Sequence, residues 1–150
     1  MLHKVGVIPF DIKDDQIAML FVTSQVRGRW IFPKGNLKAQ ESHKKGCKRE
    51  AFEEAGVTGK ILKNYPLTAV ISKSNLASME RVVVTYYPLL VTHQAEEWPE
   101  DGKRERHWAL LKDVPRLIDR SDFLDLIRQF EAIKPWIVKA ANHKKARLQG

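Results

Sequence analysis

Three glutamates lie close together in a strongly basic chain. Glu50, Glu53 and Glu54 fall within one short segment, although Lys and Arg number 26 against 18 Asp and Glu overall. On a helix that turns by about 100° per residue, these carboxylates project within an arc of roughly 100°. Their charges repel one another unless a cation lies among them. The spacing therefore predicts a cation-binding site on one face of a helix.

Carboxylate oxygens are the ligands that hard divalent ions prefer. Mg²⁺ and Mn²⁺ both take oxygen donors, and both also bind phosphate oxygens. The formal net charge of +8 favours an anionic partner through long-range attraction. Nucleic acid, phosphorylated small molecules and anionic lipid all satisfy that preference. We therefore expect a Mg²⁺ or Mn²⁺ site that faces a phosphorylated substrate.

Two nearby residues support this interpretation. Arg49 can hold a carboxylate in place through charge-assisted hydrogen bonds, and Gly35 has no side chain to obstruct the approach of its backbone to a ligand. A helix with Glu and Lys on its outer face is usually only solvated, so a plain surface helix is the alternative. The wider pattern of the segment decides between them.

The surrounding segments predict an α/β domain. Two strand-like segments, "HKVGVIPF" and "QIAMLFVTSQ", flank the charged turn "DIKDD" and favour a hairpin. The extended piece "WIFP" follows, and Pro33 with Gly35 then forces a loop before Ser42. Later strand-like segments are "GKILKNYPLTAVIS", "MERVVVTYYPLLV" and "RHWALL". Together they predict a mixed sheet.

Two helices are predicted beside this sheet. The first begins at an N-cap, Ser42, and stops at Gly56; Gly46 inside it costs about 1 kcal/mol relative to alanine, although it permits close packing. The second, "SDFLDLIRQFEAI", has apolar residues at helical spacing after a serine cap at Ser121. The basic tail at 139–150, "KAANHKKARLQG", is expected to be a solvated or frayed end.

Length and cysteine content limit the class of protein. The 150 residues are about the size of one domain, so residues 1–150 are expected to form a single domain. The single cysteine, Cys47, cannot form an internal disulfide, and with no partnered base it is expected to be a small buried side chain rather than a nucleophile. No apolar stretch approaches the roughly 18 residues that a membrane span requires. We expect a soluble, cytoplasmic protein without a membrane partner, and the sequence indicates no oligomeric state.

The segment from Gly35 to Val57 follows one spacing rule. Glycine is followed by five residues and Glu, by seven residues and Arg-Glu, and by an apolar residue, any residue, Glu-Glu, any residue, glycine and an apolar residue. A chance match in a chain of this length has odds on the order of one in a million. This pattern is the Nudix box, and the chain resembles the Nudix hydrolases. The defined positions are Gly35, Glu41, Arg49, Glu50, Ala51, Glu53, Glu54, Gly56 and Val57.

The resemblance implies an α/β/α sandwich with a central mixed sheet, in which the box binds divalent metal and directs water onto a diphosphate. It implies that the carboxylates of Glu50, Glu53 and Glu54 bind the metal. It also implies that Gly35 contributes a backbone carbonyl, that Arg49 orients the box and that Glu41 supports its loop. A metal in this place would neutralise phosphate charge and make water more acidic.

The resemblance does not assign the general base. In this family the base is a box glutamate or a carboxylate from a distant loop. The candidates are therefore Glu53, Glu80 and Glu105.

The flanks of the box resemble diphosphoinositol polyphosphate phosphohydrolases. The similar segments are "RWIFPKGN" and "EEWPEDGKRERHWALLKDV", so that the resemblance covers residues 27–114. It implies hydrolysis of a diphosphate linkage in a highly phosphorylated small molecule, such as a diphosphoinositol polyphosphate or a dinucleoside polyphosphate. Lys34, Arg104 and Arg106 would bind its phosphates because cations offset phosphate repulsion. Solvated surface side chains are the alternative for all three.

Three other functions stay open. A pyrophosphohydrolase acting on triphosphate-ended RNA or on nucleoside triphosphates fits the charge and the tryptophans, although Trp30, Trp98 and Trp108 are expected to pack in the fold. An inactive Nudix-fold nucleotide-binding module would be expected to have lost box glutamates, and none is missing. A plain nucleic-acid-binding protein would account for the charge but not for the box.

Overall fold

Eight strands of the described residues form one mixed sheet at the centre of the fold. The computed structural model describes residues 3–25, 28–74 and 79–149. In chain order the strands are β1 (His3–Lys13), β2 (Gln16–Thr23), β3 (Trp30–Ile31), β4 (Lys34–Asn36), β5 (Val57–Ile61), β6 (Leu67–Ser74), β7 (Met79–Gln94) and β8 (Arg106–Leu110). β1 and β7 are parallel, whereas the other pairs between described strands are antiparallel. The predicted mixed sheet is confirmed.

The first two strands form the predicted hairpin. Asp14 and Asp15 connect them with left-handed φ angles of 51° and 62°, the backbone that two-residue hairpin connections require. The turn is shorter than the predicted "DIKDD" because Asp11 and Lys13 still pair with β2. These ladder bonds satisfy backbone groups within the sheet.

β3 and β4 occupy a gap between the strands of this hairpin. β1 and β2 pair near their turn and diverge beyond it. β4 pairs with β1 through Gly35, which lies opposite Val5, and β3 pairs with β2 through Ile31, which lies opposite Val22. Gly35 is therefore held by the sheet.

Helices pack on both faces of the sheet. They are α1 (His43–Ala55), α2 (Val114–Leu117), which follows a 3-10 turn at Leu111–Asp113, α3 (Ser121–Ala132) and α4 (Lys134–Gln149). Gly46 of α1 lies against Val5 of β1, whereas Phe130 of α3 packs on Phe10 of β1 with ring centres 5.8 Å apart. Residues 5 and 10 of one strand face opposite sides of a sheet. The predicted α/β/α sandwich is confirmed.

α1 is capped as the sequence predicts. Ser42 Oγ accepts a hydrogen bond from Lys45 N at 3.1 Å, and Gly56 is a left-handed C-cap with φ 66°. A Cβ on Gly46 would lie 2.5 Å from Leu37 Cδ2. Close packing therefore accounts for a glycine in the middle of this helix.

The predicted cap of α3 is wrong by one residue. Ser121 is the first helical residue, and the N-cap is Arg120, whose side chain makes no capping hydrogen bond. The Arg120 guanidinium instead donates to Asp122 at 2.7 Å and to the Ser72 carbonyl at 2.9 Å. This contact with β6 fixes the start of the helix.

Residues 139–149 of the segment expected to be a solvated or frayed end are helical, although most of their side chains are exposed. α4 continues to Gln149, and Gly150 lies outside the described residues. Ala141 is buried, and Lys145 Nζ pairs with Asp11 at 3.3 Å and donates to the Ile12 carbonyl at 3.2 Å. These contacts bind the segment to the end of β1. Within the described ranges, no helix combines the length and apolar character needed to cross a membrane.

Candidate active site

The box glutamates lie on the last two turns of α1, beside β4. Glu50 and Glu54 are buried, each with 7% of its surface exposed, and the charge of Glu50 acts on Glu54. The Glu53 side chain is 38% exposed. The helix therefore presents two sheltered acids and one that reaches solvent.

β4 closes one side of this acidic group. A Cβ on Gly35 would overlap the Glu50 carboxylate, so only glycine leaves room for it there. The backbone N–H of Lys34, half-buried on the same strand, donates to Glu54 Oε1 at 3.2 Å. The sheet thus positions both buried acids.

Arg49 connects the box loop to the helix. Its Nε and Nη2 donate to the two Glu41 carboxylate oxygens at 2.9 and 2.8 Å. Its Nη1 donates to Glu50 at 2.7 Å and to Glu53 at 3.4 Å, and Nη2 also reaches the Asn36 carbonyl at 2.9 Å. These contacts join the box loop to α1, and the orienting role of Arg49 and the support of the loop by Glu41 stay predictions.

Burial changes the acidity of the sheltered glutamates. It raises the pKa of Glu54 to about 8; the charge of Arg104 opposes this shift and that of Glu50 adds to it. Burial also raises the pKa of Glu50, against hydrogen bonding from Arg49. Hydrogen bonding to Arg49 instead lowers the pKa of Glu41 to about 2. The guanidinium groups of Arg49 and Arg104 therefore offset only part of the effect of burial on these two acids.

The donor set fits a hard divalent cation. Carboxylate oxygens of Glu50, Glu53 and Glu54 and the carbonyl of Gly35 are the kind of ligand that Mg²⁺ and Mn²⁺ take. In the part of the chain that the structure describes, no three acidic, His or Cys side chains already converge as a metal shell. Arg49 instead holds one oxygen of Glu50 and one of Glu53. A cation would add positive charge beside the buried acids, beyond that of Arg49 and Arg104.

Arg104, one of the predicted phosphate ligands, faces the interior. Its side chain is only 10% exposed and pairs with Glu100 at 3.0 Å and with Glu54 at 3.5 Å. Its Nη1 donates to the Thr23 carbonyl at 2.8 Å. Binding of substrate phosphate by Arg104 stays a prediction, and the structure gives this guanidinium partners within the protein.

Arg106 has internal partners as well. Its Nη1 donates to the carbonyls of Ala55 and Ala95 at 3.1 and 2.8 Å, and its guanidinium lies 3.7 Å from the centre of the Trp98 ring. Burial lowers the pKa of Arg106. Its predicted phosphate contact likewise stays a prediction.

The candidate bases lie in different surroundings. Glu53 belongs to the box itself, and Arg49 holds one of its oxygens. Glu80, near the start of β7, and Glu105, just before β8, are exposed. Among the described residues, neither of these two forms a hydrogen bond or ion pair with a box side chain. The structure therefore places Glu53 beside the buried acids and shows no contact of the other two candidates with the box side chains.

Cys47 agrees with the buried residue that the sequence predicts. It is fully buried, and its Sγ donates to the Gly6 carbonyl at 3.4 Å. Burial raises the pKa of the thiol to about 12. A thiol with this pKa stays protonated and is a poor nucleophile.

Trp98 contributes to the site in a way that sequence reasoning missed. It packs, as predicted, but its indole Nε1 also donates to the Glu54 carbonyl at 3.1 Å. The signal in the sequence that pointed to Trp98 was the Trp-Pro-Glu sequence at 98–100. It lies in the flanking segment whose resemblance was used to infer the substrate. A contact across 44 positions has no local pattern that would reveal it.

One protein-family model and several curated proteins are similar to this chain in sequence. The sequence model of the NUDIX domain matches residues 2–130. Nudix hydrolase 17, mitochondrial, from Arabidopsis thaliana is 34% identical over 111 residues, which cover 69% of this chain and 59% of the relative. Diphosphoinositol polyphosphate phosphohydrolase 3-beta from Bos taurus is 31% identical over 111 residues, 71% of this chain and 62% of that relative.

Solved structures share the fold. A C. elegans Ap4A hydrolase binary complex superposes with a TM-score of 0.65 at 20% identity, covering 90% of this chain and 98% of that one. The chain spans only 59% to 65% of the length of the first three curated relatives. The sequence match nevertheless covers the sheet, the box and most of α3. The chain belongs to the NUDIX domain family.

Proposed function

We propose that this protein is a divalent-metal-dependent pyrophosphohydrolase that cleaves a diphosphate linkage in a highly phosphorylated small molecule, such as a diphosphoinositol polyphosphate or a dinucleoside polyphosphate. The observation that carries this proposal is the complete box, in which two of the acids, Glu50 and Glu54, are buried beside β4. Burying acids costs folding free energy. An inactive nucleotide-binding module would be expected to have lost box glutamates, and none is missing.

The chain's own residues prepare the chemistry. Arg49, anchored on Glu41, fixes the carboxylate of Glu50, and the Lys34 N–H fixes that of Glu54. Glu53 is exposed enough to accept a proton from the attacking water. When bound to Glu50, Glu53 and Glu54, a divalent cation supplies positive charge that offsets phosphate charge and polarises the phosphorus.

Net charge and sequence similarity support a densely phosphorylated substrate. A net charge of +8 attracts densely phosphorylated ligands. The Bos taurus relative is named for hydrolysis of a diphosphoinositol polyphosphate. Lys34, whose backbone already contacts Glu54, lies at the edge of the site, where its ammonium would meet substrate phosphates.

A substrate screen with the full chain tests the proposal. Hydrolysis products would be separated by ion-exchange chromatography after incubation with Mg²⁺, Mn²⁺ or EDTA. The substrates would be diphosphoinositol polyphosphates, diadenosine polyphosphates, nucleoside triphosphates, nucleotide sugars and triphosphate-ended RNA. We expect metal-dependent turnover, with the highest kcat/KM on one of the first two classes. Highest efficiency on RNA or on nucleoside triphosphates would replace the proposed substrate by the alternative one. Absence of metal-dependent turnover on all of them would contradict the proposal.

A pair of variants ties the activity to the box. Glu54→Gln keeps an oxygen for the Lys34 N–H but removes a charged ligand, so kcat/KM should fall at least about a hundredfold. Glu131→Gln makes the same charge change at an exposed position of α3 and serves as the control for net charge. Circular dichroism would confirm that both variants fold. Near-normal turnover by Glu54→Gln would reject this site.

A further inference from the structure

The C-terminal end of α1 has carbonyl groups that the helix itself does not satisfy. A helix leaves its last four carbonyls without intrahelical donors. In α1 these belong to residues 52–55, which include both Glu53 and Glu54. Gly56 N donates to the Phe52 carbonyl at 2.9 Å. The other three carbonyls need donors from elsewhere in the chain.

Those donors come from residues 95–106, which we name the carbonyl clamp. The clamp lies far from α1 in sequence but crosses its last turn. It also donates to Gly56, the residue after the helix. The four hydrogen bonds are Glu100 N to Glu53 O at 3.1 Å, Trp98 Nε1 to Glu54 O at 3.1 Å, Arg106 Nη1 to Ala55 O at 3.1 Å and Ala95 N to Gly56 O at 2.8 Å.

Arg106 closes the clamp on itself. The same Nη1 that reaches Ala55 also donates to the Ala95 carbonyl, so the two ends of the clamp are joined. The guanidinium stacks on Trp98, which holds both side chains in place. Its positive charge lies at the negative end of the helix dipole. Arg106 therefore offsets the carbonyl dipoles next to the acids.

Arg104 extends the clamp from backbone to carboxylate. It links Glu100, whose N–H holds Glu53, to the Glu54 carboxylate, and it is anchored on the Thr23 carbonyl of β2. The clamp thus contacts Glu54 at its carbonyl through Trp98 and at its side chain through Arg104. Rotation of this residue is restricted at both points.

We propose that the carbonyl clamp positions the metal-binding carboxylates of α1, with Trp98, Arg104 and Arg106 as positioning residues rather than ligands of substrate phosphate. The inference rests on the proposed function only in taking the α1 carboxylates as metal ligands. The hydrogen bonds of the clamp do not depend on it. The Trp-Pro-Glu sequence at 98–100 and the basic residues after it would then hold α1 in place instead of selecting the substrate. Their loss would affect every substrate alike.

Three variants separate positioning from phosphate binding. Arg106→Gln removes a charged donor to the helix end, and Trp98→Phe removes a neutral donor while it keeps an aromatic ring. Lys103→Gln is the matched control, because Lys103 lies in the same segment with an exposed side chain. Mn²⁺ titration of the metal-free full chain and hydrogen exchange of amides 52–56 require no turnover. The kcat/KM values for a diphosphoinositol polyphosphate, diadenosine tetraphosphate and ADP-ribose would complete the set.

Positioning predicts a common effect on metal binding. Removal of a residue that orients metal ligands typically costs about 10–100-fold in metal affinity or activity. We expect Arg106→Gln and Trp98→Phe to weaken Mn²⁺ binding within that range, to speed exchange at the helix end and to lower kcat/KM by one factor for all three substrates. Lys103→Gln should leave Mn²⁺ affinity within about twofold.

The opposite pattern would overturn the inference. If Arg106 binds substrate, Arg106→Gln should lower kcat/KM more as the number of substrate phosphates rises, and its Mn²⁺ affinity should stay that of wild type. Trp98→Phe should then have the Mn²⁺ affinity and kcat/KM of wild type. Should Arg106→Gln fail to fold, Arg106→Lys and Trp98→Phe give the same comparison. If the wild-type chain turns over none of the substrates, the proposed function fails, and Mn²⁺ affinity with hydrogen exchange still decides the role of the clamp.

Discussion

Single residues in this site have environments that their type does not reveal. Glu53 and Glu54 are adjacent in sequence, yet the side chain of Glu53 is 38% exposed and that of Glu54 is 9% exposed. Burial raises the pKa of Glu54 to about 8. The sequence predicts that all three box glutamates belong together. It does not predict that two of them are buried and that the third reaches solvent.

Tyr86 is a second residue with an unexpected environment. It is fully buried on β7, and its hydroxyl has no hydrogen-bond partner among the described residues. Burial raises its pKa, and the charges of Asp122 and Glu54 act in the same direction. The ring packs edge-on against Phe32, with centres 6.2 Å apart. The ring therefore contributes packing, whereas the buried hydroxyl costs free energy.

Tyr86→Phe should stabilise the protein. The change keeps the ring and removes an unsatisfied buried group whose cost is about 1–3 kcal/mol. We expect the free energy of unfolding, measured by urea denaturation of the metal-free chain, to rise by about 1 kcal/mol. Tyr87→Phe is the control, because the Tyr87 hydroxyl has a partner in His43 at 2.9 Å and its loss should be destabilising. A marked loss of stability in Tyr86→Phe would show that its hydroxyl has a partner in solution.

At the scale of elements, α1 is defined by its two ends. The C-cap Gly56 combines a left-handed φ of 66° with close contact to Trp98. Alanine in this backbone conformation costs about 1 kcal/mol, and its Cβ would lie 2.8 Å from Trp98 Cγ. Gly56→Ala should therefore lower the free energy of unfolding by more than about 1 kcal/mol in urea denaturation.

Gly102→Ala provides the comparison for this change. A Cβ on Gly102 would meet nothing within 4 Å. This substitution should be neutral or stabilising by up to about 1 kcal/mol, since it restricts the unfolded chain. Equal effects of the two substitutions would contradict the close packing of Trp98 on the helix end.

The ion pair between Glu41 and Arg49 joins the box loop to α1. Glu41 has its pKa lowered to about 2, chiefly by the hydrogen bonds from Arg49. A carboxylate with a lowered pKa contributes stability above its unfolded value of about 4.5, and this contribution is lost as pH falls toward about 2. Glu41→Gln should therefore be less stable than wild type at pH 7.

The pH dependence distinguishes this pair from general loss of packing. The difference in the free energy of unfolding between wild type and Glu41→Gln should shrink from about pH 4.5 to about pH 2. Urea denaturation of metal-free protein at several pH values would measure it. A difference that is constant with pH would mean that the charge of Glu41 is not what holds the loop.

Local pattern predicted the hairpin, α1 and α3 but not α4, and contacts distant in sequence determined the site. Ser42, Gly56 and the strand alternation act within a few residues, so the cap positions and the hairpin could be predicted. The insertion of β3 and β4 into that hairpin depends on pairing across the sheet. The inward orientation of Arg104 and Arg106 depends on carbonyls at residues 23, 55 and 95, which no local spacing encodes.

At the scale of the whole molecule, lysines from three different elements form a group of like charges. The box acids lie on one side of α1, whereas Lys44 and Lys48 lie one turn apart on another. Lys60 of β5 and Lys144 of α4 add to this lysine group, and none of the four belongs to a salt bridge within the described ranges. α1 also has no acid in its first turn to complement the helix dipole. Attraction for anions is therefore accompanied by internal repulsion.

Lys48→Gln should raise the melting temperature at low salt. Partial desolvation lowers the pKa of Lys48, and the charges of Lys44, Lys60 and Lys144 lower it further, so its ammonium is disfavoured in the fold. Like-charge pairs of this kind cost about 0.2–0.5 kcal/mol each, which predicts a rise of about 1–3 °C. The gain should vanish near about 0.5 M salt, where screening is strong. Lys63→Gln, at an exposed lysine between β5 and β6, makes the same charge change, and an equal gain there would indicate relief of net charge rather than of this lysine group.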